Sequence, residues 1–324
     1  MHSSDVDTTG PPPCGRRVIV TGGAGFLGSY VCRSLLARGD EVVCIDDFST
    51  GRRGNLPSDS RLHVVEADVA AGMPDVDAEL LIHLAAPAHQ ADYLLSPLAA
   101  TRLLVAGTDA ALDLARRGGM RMVLVSSGDV YGQGRPEPFG EHEASAPDPA
   151  DPGNAYLCCR QFVESLAASH RAHHGTDVAI ARVFACYGPR MRPDDDDVLA
   201  RFVGQAMRGL PLSVPAPATT QHPCCYVGDI AEGILRVASS GIPGPVNLGN
   251  PVGPSLAVLA ERVVALAGSG SPISFDRLGA PAAPVRRPDV TLAERLLDWR
   301  PTTPLEVGIG RMLKSGHDRE PVAV

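Results

Sequence analysis

Short apolar runs alternate with longer stretches of helical periodicity through the first half of the chain. The apolar runs predict strands at residues 17–21, 41–47, 62–68, 80–86, 121–127 and 178–184. Between them, residues 26–39 and 105–119 have the spacing of helices, and each stretch ends in glycine. Strands that alternate with helices are typical of a parallel sheet covered on both faces. The pattern predicts an α/β protein with a Rossmann-like, doubly wound parallel sheet.

After about residue 185 the pattern changes to proline-rich loops, with helices predicted at 198–209, 228–239 and 255–267. We interpret residues 16–184 as a Rossmann domain that binds a dinucleotide. Residues 185–316 would then form a smaller α/β region that binds substrate and is partly interleaved with the first. The polar, proline-rich residues 1–15 are expected to be a disordered lead-in, and residues 317–324 a tail.

Composition narrows the range of partners. The net charge is −8, from 29 basic and 37 acidic residues, which disfavours nucleic acid or an anionic membrane as the main partner. No apolar run approaches the roughly 20 residues of a membrane helix. The 8 cysteines show no zinc-binding spacing and predict reduced thiols in a cytoplasmic protein without a metal site.

A glycine-rich stretch, "VTGGAGFLGS", lies between the first predicted strand and the first predicted helix. Glycines here allow a tight turn and a close approach to a pyrophosphate at the helix N-terminus. They are Gly22, Gly23, Gly25 and Gly28. Asp46 ends the second strand, where a carboxylate binds ribose hydroxyls and repels a 2′-phosphate. NAD is therefore favoured over NADP, although Arg52 and Arg53 nearby leave NADP open.

Further motifs extend this pattern along the chain. They are "HLAA" (83–86), "SSGDVYG" (126–132), Tyr156 and "RVFACYGPRMRP" (182–193). Together with the glycine loop they resemble the extended short-chain dehydrogenase/reductase superfamily. Three C-terminal segments resemble UDP-glucuronate decarboxylases, also called UDP-xylose synthases: "CYVGDIAEGILR" (225–236), "GPVNLGNP" (244–251) and "RRPDVTLAERLLDWRPTTPLEVGI" (286–309). The resemblance covers residues 16 to 312.

The resemblance implies an NAD-dependent reaction on a UDP-sugar. Oxidation at C4 of UDP-glucuronate would make a 4-ketone, the C6 carboxylate would leave as CO₂, and reduction would give UDP-xylose. Release before reduction would give UDP-4-keto-pentose. The residues that the resemblance assigns to the cofactor are Gly22, Gly25, Phe26, Leu27, Asp46, Asp47, Ser49, Thr50, Asp68, Val69, Leu84, Ala86, Tyr156 and Arg160.

The resemblance also assigns catalytic roles. Tyr156 would accept the C4 proton, and Ser127 would hydrogen-bond the C4 oxygen. A phenol titrates near 10, so a cation at i+4 on the same helix face would have to favour the phenolate. The family's lysine at that position is Arg160 here. Asp129 stands where this branch usually has glutamate, and Arg286 matches an arginine near the substrate carboxylate or ring.

Arg160 is open to more than one interpretation. The chain has a single lysine, Lys314, so the exchange fits a general drift to arginine. It equally fits a retuned site in which oxidation survives and the final reduction is impaired, because arginine is wider and more weakly hydrated. Lost catalysis is a third interpretation. A 4-epimerase, a dehydratase or a non-catalytic NAD-binding protein are the alternative functions.

The resemblance further implies substrate contacts and a homodimer. The substrate residues would be Tyr93, Arg102, Ala185, Arg190, Val214, His222 and Arg286. Two of these depart from the family, since Ala185 replaces an asparagine and His222 replaces an arginine that binds diphosphate. Helices near 98–118 and 155–174 would pair with those of a second copy to form a four-helix bundle.

Overall fold

The computed structural model describes residues 15–86, 96–132, 137–191, 197–275 and 286–317. Tyr93, the lead-in up to residue 14 and the tail from residue 318 lie outside these ranges. The strands are β1 (Arg17–Thr21), β2 (Glu41–Asp46), β3 (Leu62–Glu66), β4 (Leu80–His83), β5 (Arg121–Ser127), β6 (Val178–Val183), β7 (Cys186–Tyr187), β8 (Leu212–Val214), β9 (Cys225–Tyr226), β10 (Val246–Leu248) and β11 (Ile273–Phe275). The helices are α1 (Phe26–Ala37), α2 (Pro97–Gly118), α3 (Ala155–His174), α4 (Val198–Met207), α5 (Val227–Ser239), α6 (Leu256–Ala267), α7 (Thr291–Leu297) and α8 (Leu305–His317).

The main sheet has seven parallel strands in the order β10-β6-β5-β4-β1-β2-β3. The chain order reverses between β1 and β4, and ligands of such sheets bind in the crevice at the carboxyl ends of the strands beside that reversal. Two pairs of short strands, β8 with β11 and β7 with β9, lie outside the main sheet. The predicted fold class is confirmed.

The six predicted strands are present, but several end earlier than their apolar runs. The predicted strand 80–86 stops at His83 because the backbone N–H groups of Leu84 and Ala85 turn toward the Thr21 hydroxyl, at 3.2 and 3.3 Å. The predicted strand 41–47 stops at Asp46, since Phe48 adopts a positive φ of 58°. Helix α2 begins at Pro97, eight positions before the helix predicted at 105–119.

Each face of the main sheet is covered by its own apolar core. Helices α1, α5 and α7 cover one face, and Trp299 is buried with them. Helices α2 and α3 cover the other face. A third core joins α4, α6 and α8. No helix in the described part of the chain is both long and apolar enough to span a membrane.

The C-terminal part of the chain returns to the main sheet. Strand β10 pairs with β6 at the sheet edge, and α5 packs on α1. The buried Asp229 of α5 accepts hydrogen bonds from the backbone N–H and the hydroxyl of both Thr302 and Thr303, at 2.8–3.2 Å. Trp299 Nε1 donates to the Asp229 carbonyl at 2.9 Å. These contacts tie the segment after α7 to α5, the helix that packs on α1.

Candidate active site

The glycine loop packs closely on the N-terminus of α1 and leaves that helix without a side-chain cap. Gly22 has a φ of +68°, which side chains rarely adopt. A Cβ at Gly28 would lie 2.1 Å from the Gly22 carbonyl oxygen, so α1 starts in direct contact with the loop. The N-cap residue, Gly25, provides no side chain to cap the first amides of the helix. Those amides and the helix dipole suit an anion such as a pyrophosphate.

Asp46 lies beside this loop at the end of β2 and is 6% exposed. Its carboxylate accepts the backbone N–H of Ala24 at 2.8 Å and that of Phe48 at 2.9 Å. Burial raises the pKa of Asp46, and these hydrogen bonds offset part of the rise. A carboxylate has about four acceptor positions, so two remain for ribose hydroxyls. The loop and Asp46 together fit the dinucleotide that the sequence implies.

The remaining residues assigned to the cofactor lie around the same end of the sheet, where the carboxyl ends of the strands meet. Asp47 and Asp68 shape local turns, accepting the backbone N–H of Ser49 at 3.0 Å and of Ala70 at 2.8 Å. Thr50 is exposed and Val69 is buried. Half-buried positions just after the glycine turn and after β4 are Phe26, Leu27, Leu84 and Ala86. The structure therefore brings the predicted cofactor residues to the carboxyl ends of β1, β2, β3 and β4.

Tyr156 stands in the first turn of α3 and is 6% exposed. Burial raises the pKa of its phenol. The Arg160 guanidinium and hydrogen bonds with Ser127 and Arg160 lower the pKa in part, while Asp129 raises it. Arg160 is also 6% exposed, and its Cζ lies 5.3 Å from the Tyr156 ring centroid. The arginine is thus placed to stabilise a phenolate.

Ser127, Asp129 and Arg286 form a connected set next to this tyrosine. The Ser127 hydroxyl donates to Asp129 Oδ2 at 2.8 Å and accepts the Asp129 backbone N–H at 3.1 Å. Arg286 Nη1 donates to Asp129 Oδ1, and Arg286 Nε donates to the Gly132 carbonyl at 2.8 Å. The five residues predicted as catalytic therefore lie in one chain of polar contacts that runs from Arg160 to Arg286.

His83 lies under this cluster, at the end of β4. The Thr21 hydroxyl already accepts two backbone N–H groups, so its own proton points to His83 Nδ1 at 2.8 Å. The opposite nitrogen, Nε2, then carries the ring proton and donates to Thr108 Oγ1 at 3.3 Å. Burial, and secondarily Arg160, lower the pKa of His83 to about 4. The histidine is a neutral, packed residue.

The residues predicted to bind substrate are more dispersed. Arg286 joins the catalytic cluster, whereas Arg102 is exposed on α2 and Val214 is buried in the core of α4, α6 and α8. His222 is 2% exposed, and its Nε2 lies 3.5 Å from Asp197 Oδ2. Two more lie after β6: Ala185, which is half-buried, and Arg190, whose Cζ is 4.8 Å from the Tyr30 ring centroid.

Four residues beside the site were not singled out by the sequence: Glu164, Arg182, Tyr131 and Asn247. Arg182 donates to the Glu164 carboxylate and to the Tyr131 hydroxyl, and that hydroxyl contacts Asn247. One signal was available, because Glu164 follows Tyr156 and Arg160 at four-residue spacing on the same face of α3. The other three residues come from separate strands and turns, and their meeting is visible only in the fold.

Comparison with known proteins identifies the family of this chain. Residues 18–249 match the model of the NAD dependent epimerase/dehydratase family. The chain is 35% identical to UDP-glucuronic acid decarboxylase 1 of Arabidopsis thaliana, over 94% of this chain and 70% of that protein. It is 33% identical to UDP-glucuronic acid decarboxylase 6 of the same plant, over 96% and 95%.

A solved structure of UDP-glucose 4-epimerase from Thermus thermophilus, in complex with NAD, has the same fold. The TM-score is 0.77 and the identity 26%, over 93% of this chain and 99% of that one. The dinucleotide that fits the glycine loop is NAD, the cofactor of this family. The family match covers the loop, Asp46, Ser127 and Tyr156. From the sheet, the loop, the tyrosine cluster and these matches, the chain belongs to the NAD dependent epimerase/dehydratase family.

Proposed function

We propose that this protein is an NAD-dependent decarboxylase of UDP-glucuronate that works through a 4-keto sugar. Two relatives at 33–35% identity carry that activity in their names. The observation that carries the proposal is Ser127, which hydrogen-bonds both Tyr156 and Asp129, while Asp129 pairs with Arg286. One residue thus connects a group suited to deprotonate an alcohol with a pair suited to meet a carboxylate.

The oxidation at C4 requires a base. When bound, NAD supplies the hydride acceptor and, later, the hydride donor. Tyr156 takes the proton of the C4 hydroxyl, and Ser127 hydrogen-bonds the same oxygen. The buried site disfavours the phenolate, so the charge of Arg160 beside the ring is needed to make Tyr156 a base near neutral pH.

The loss of CO₂ follows from the ketone. The C5–C6 bond breaks, its electron pair moves onto the C4 oxygen as an enolate, and the protonated Tyr156 stabilises that oxygen. Ser127 adds a second hydrogen bond when its proton turns from Asp129 to the same oxygen. Arg286 is already neutralised by Asp129, so the carboxylate meets an ion pair instead of an isolated cation. Weak binding of the departing charge favours the transition state over the bound substrate. The enolate then takes a proton at C5 from solvent, so Tyr156 keeps its proton for the reduction.

Arg160 sets what happens next. Reduction of the ketone needs Tyr156 to return its proton, and the guanidinium holds the phenolate differently from a lysine ammonium. We expect UDP-xylose, UDP-4-keto-pentose or both, with the keto sugar favoured by Arg160. Residues 16–184 would bind NAD and residues 185–316 the UDP-sugar. Tyr93, Arg102, Ala185, Arg190, Val214 and His222 keep their proposed substrate roles.

The product mass tests the proposal. Purified protein is incubated with UDP-glucuronate and NAD, and the nucleotide sugars are followed by mass spectrometry. Loss of CO₂ supports decarboxylation; an unchanged mass indicates epimerisation, and loss of water indicates dehydration. Bound NAD without turnover of any UDP-sugar, and no recovery in Arg160→Lys, would leave a non-catalytic NAD-binding protein. In an active enzyme, Arg160→Lys should shift the product from keto-pentose toward xylose.

We also propose a homodimer. Helices α2 and α3 pack side by side on one face of the sheet. On them Leu98 is 72% exposed and Phe162 is 51% exposed. A second copy that placed the same two helices against this surface would bury both side chains in a four-helix bundle.

A further inference from the structure

A buried polar network joins the helix that carries Tyr156 to the segment that carries Arg286. We infer that Tyr131 and Asn247, within this network, are positioning residues that hold the Asp129–Arg286 pair at its distance from Tyr156. The loss of CO₂ then depends on Tyr131 and Asn247 more than the oxidation at C4 does. The inference rests on the proposed function, because it concerns two steps of that reaction.

The network starts on α3. Glu164 lies on the face of α3 that carries Tyr156 and Arg160. Its carboxylate accepts two hydrogen bonds from Arg182 of β6, from Nε at 3.1 Å and from Nη2 at 2.8 Å. It also accepts the hydroxyl of Ser126 at 2.6 Å, one residue before the catalytic serine. Both charged side chains are 11% exposed, so the pair is shielded from solvent and fixes α3 against β5 and β6.

Tyr131 carries the network from β6 to the turn that contains Asp129. Its ring stacks on Phe139 and Phe184, with centroids 5.2 and 5.9 Å away. Arg182 Nη1 donates to its hydroxyl at 2.7 Å. Burial raises the pKa of Tyr131 to about 12, so the hydroxyl keeps its proton and donates it to Asn247 Oδ1 at 2.7 Å. Donor and acceptor roles are therefore fixed along the whole path.

Asn247 of β10 completes the path to Arg286. With its oxygen occupied by Tyr131, its Nδ2 donates to the carbonyls of Phe139 at 2.9 Å and Asp289 at 3.1 Å. The backbone of Phe139 pairs with the same segment: the Asp289 N–H donates to the Phe139 carbonyl at 2.8 Å, and the Phe139 N–H donates to the Arg287 carbonyl at 2.9 Å. Asn247 is fully buried, so its amide has no water to replace a lost partner.

The part of the site that carries Ser127 and Tyr156 has more structural support than the part that carries Arg286. Ser127 ends a long central strand, and Tyr156 sits on a 20-residue helix packed on the sheet core. Arg286 instead precedes a short extended segment that Asn247 and Phe139 hold in place. Loss of the Tyr131 hydroxyl would remove one hydrogen-bond partner from Arg182 Nη1 and one from Asn247 Oδ1. Because the segment after Arg286 has the fewest other contacts, we expect it to move before Ser127 or Tyr156 does. A misplacement of about 1 Å costs a reaction step roughly 100-fold.

The experiment compares Tyr131→Phe with Tyr187→Phe. Tyr187 is equally buried and its hydroxyl donates to the Leu305 carbonyl at 3.4 Å, in the core of α4, α6 and α8. In single turnovers, absorbance at 340 nm follows NADH and trapped CO₂ follows decarboxylation. We expect Tyr131→Phe to slow CO₂ release about 10- to 100-fold while NADH forms within about threefold of the wild-type rate. CO₂ release should therefore lag behind NADH formation in this variant, and Tyr187→Phe should change neither rate.

Two further variants separate positioning from general damage. Asn247→Asp keeps the acceptor for Tyr131 and loses both donated hydrogen bonds, so it should reproduce the delay in CO₂ release even if Tyr131→Phe does not fold. In an Arg286→Lys background, Tyr131→Phe should slow CO₂ release by less than a further factor of about three, because both changes act on the same group. The inference would be overturned if Tyr131→Phe slowed NADH formation and CO₂ release equally. It would also be overturned if the effects of Tyr131→Phe and Arg286→Lys on CO₂ release multiplied in the double variant. A wild-type protein that releases no CO₂ would instead refute the proposed function.

Discussion

Replacing Gly28 by alanine tests the cofactor site through one added methyl group. The new Cβ would lie 2.1 Å from the Gly22 carbonyl oxygen and 2.8 Å from Gly23 Cα, whereas ordinary contacts begin at 3.4 Å. The neighbours are backbone atoms, so no side-chain rotation can relieve the clash. Helix α1 must therefore move by about 1 Å away from the glycine loop.

The cost has two parts. Overpacking of this kind lowers the free energy of unfolding by about 1–3 kcal/mol. The movement also withdraws the first amides of α1 from the pyrophosphate of NAD, and a hydrogen bond to a charged group contributes about 1.5–3 kcal/mol. Loss of one such bond weakens NAD binding at least about tenfold, and loss of two at least about 100-fold.

Gly204→Ala is the matched control. Gly204 lies inside α4, and its added Cβ would meet only Arg208 Nη2 at 3.7 Å. Because alanine favours a helix over glycine by about 1 kcal/mol, this variant should be slightly more stable than wild type and bind NAD equally well. Thermal unfolding and calorimetric titration with NAD measure both effects. A Gly28→Ala protein with wild-type affinity for NAD would refute the placement of the pyrophosphate.

Three other outcomes are expected. The pKa of His83 is about 4 in the folded protein and 6.5 when unfolded, so the unfolded chain binds the extra proton as pH falls from about 6.5 to about 4. The free energy of unfolding should fall by about 3 kcal/mol over that window, and His83→Gln should lack this slope in urea titrations. Asp229→Ala removes the four hydrogen bonds from the segment after α7 and should lower the free energy of unfolding in urea by about 3 kcal/mol. A loss under about 1 kcal/mol would contradict their role. Phe162→Glu should turn dimers into monomers in analytical ultracentrifugation, whereas Leu296→Glu, at a similarly exposed position on α7, should not; an unchanged dimer places the interface elsewhere.

Much of the fold was accessible from the sequence because the central strands are buried on both faces. Such strands are continuous apolar runs, and this explains five of the six strands of the main sheet that were predicted. The sixth, the edge strand β3, is largely exposed and was predicted from its short apolar run alone. The seventh, β10, has only three residues and follows a Gly-Pro pair, so the pattern gives too few positions to show a period. Strands β7 and β9, of two residues each, were beyond reach for the same reason.

Part of the candidate site was also accessible from the sequence, and part was not. Asp46, Ser127, Tyr156 and Arg160 depend on local position, at a strand end or one helical turn apart, and the sequence shows such positions directly. The pairing of Asp129 with Arg286 joins residues 157 positions apart, and single-sequence patterns contain no information on such contacts.

Burial at individual positions was also out of reach. The resemblance placed His222 among the substrate residues, where the family has a diphosphate-binding arginine, and nothing in its neighbours indicated that the ring would be 2% exposed and directed at Asp197. The exposure of Arg102 and the burial of Val214 were unpredictable for a related reason. Arg102 faces solvent and Val214 faces an apolar core, and both results depend on how the helices pack on one another.

The pairing of β10 with β6 has a consequence for biosynthesis. A ribosome adds roughly 5–20 residues per second, so β6 emerges seconds before the strand that covers its edge. During that interval a hydrophobic parallel edge has unpaired N–H and C=O groups, which invite pairing with another nascent chain. Emergence of β10 therefore closes this edge, and the demand for chaperones should fall once that strand has paired with β6.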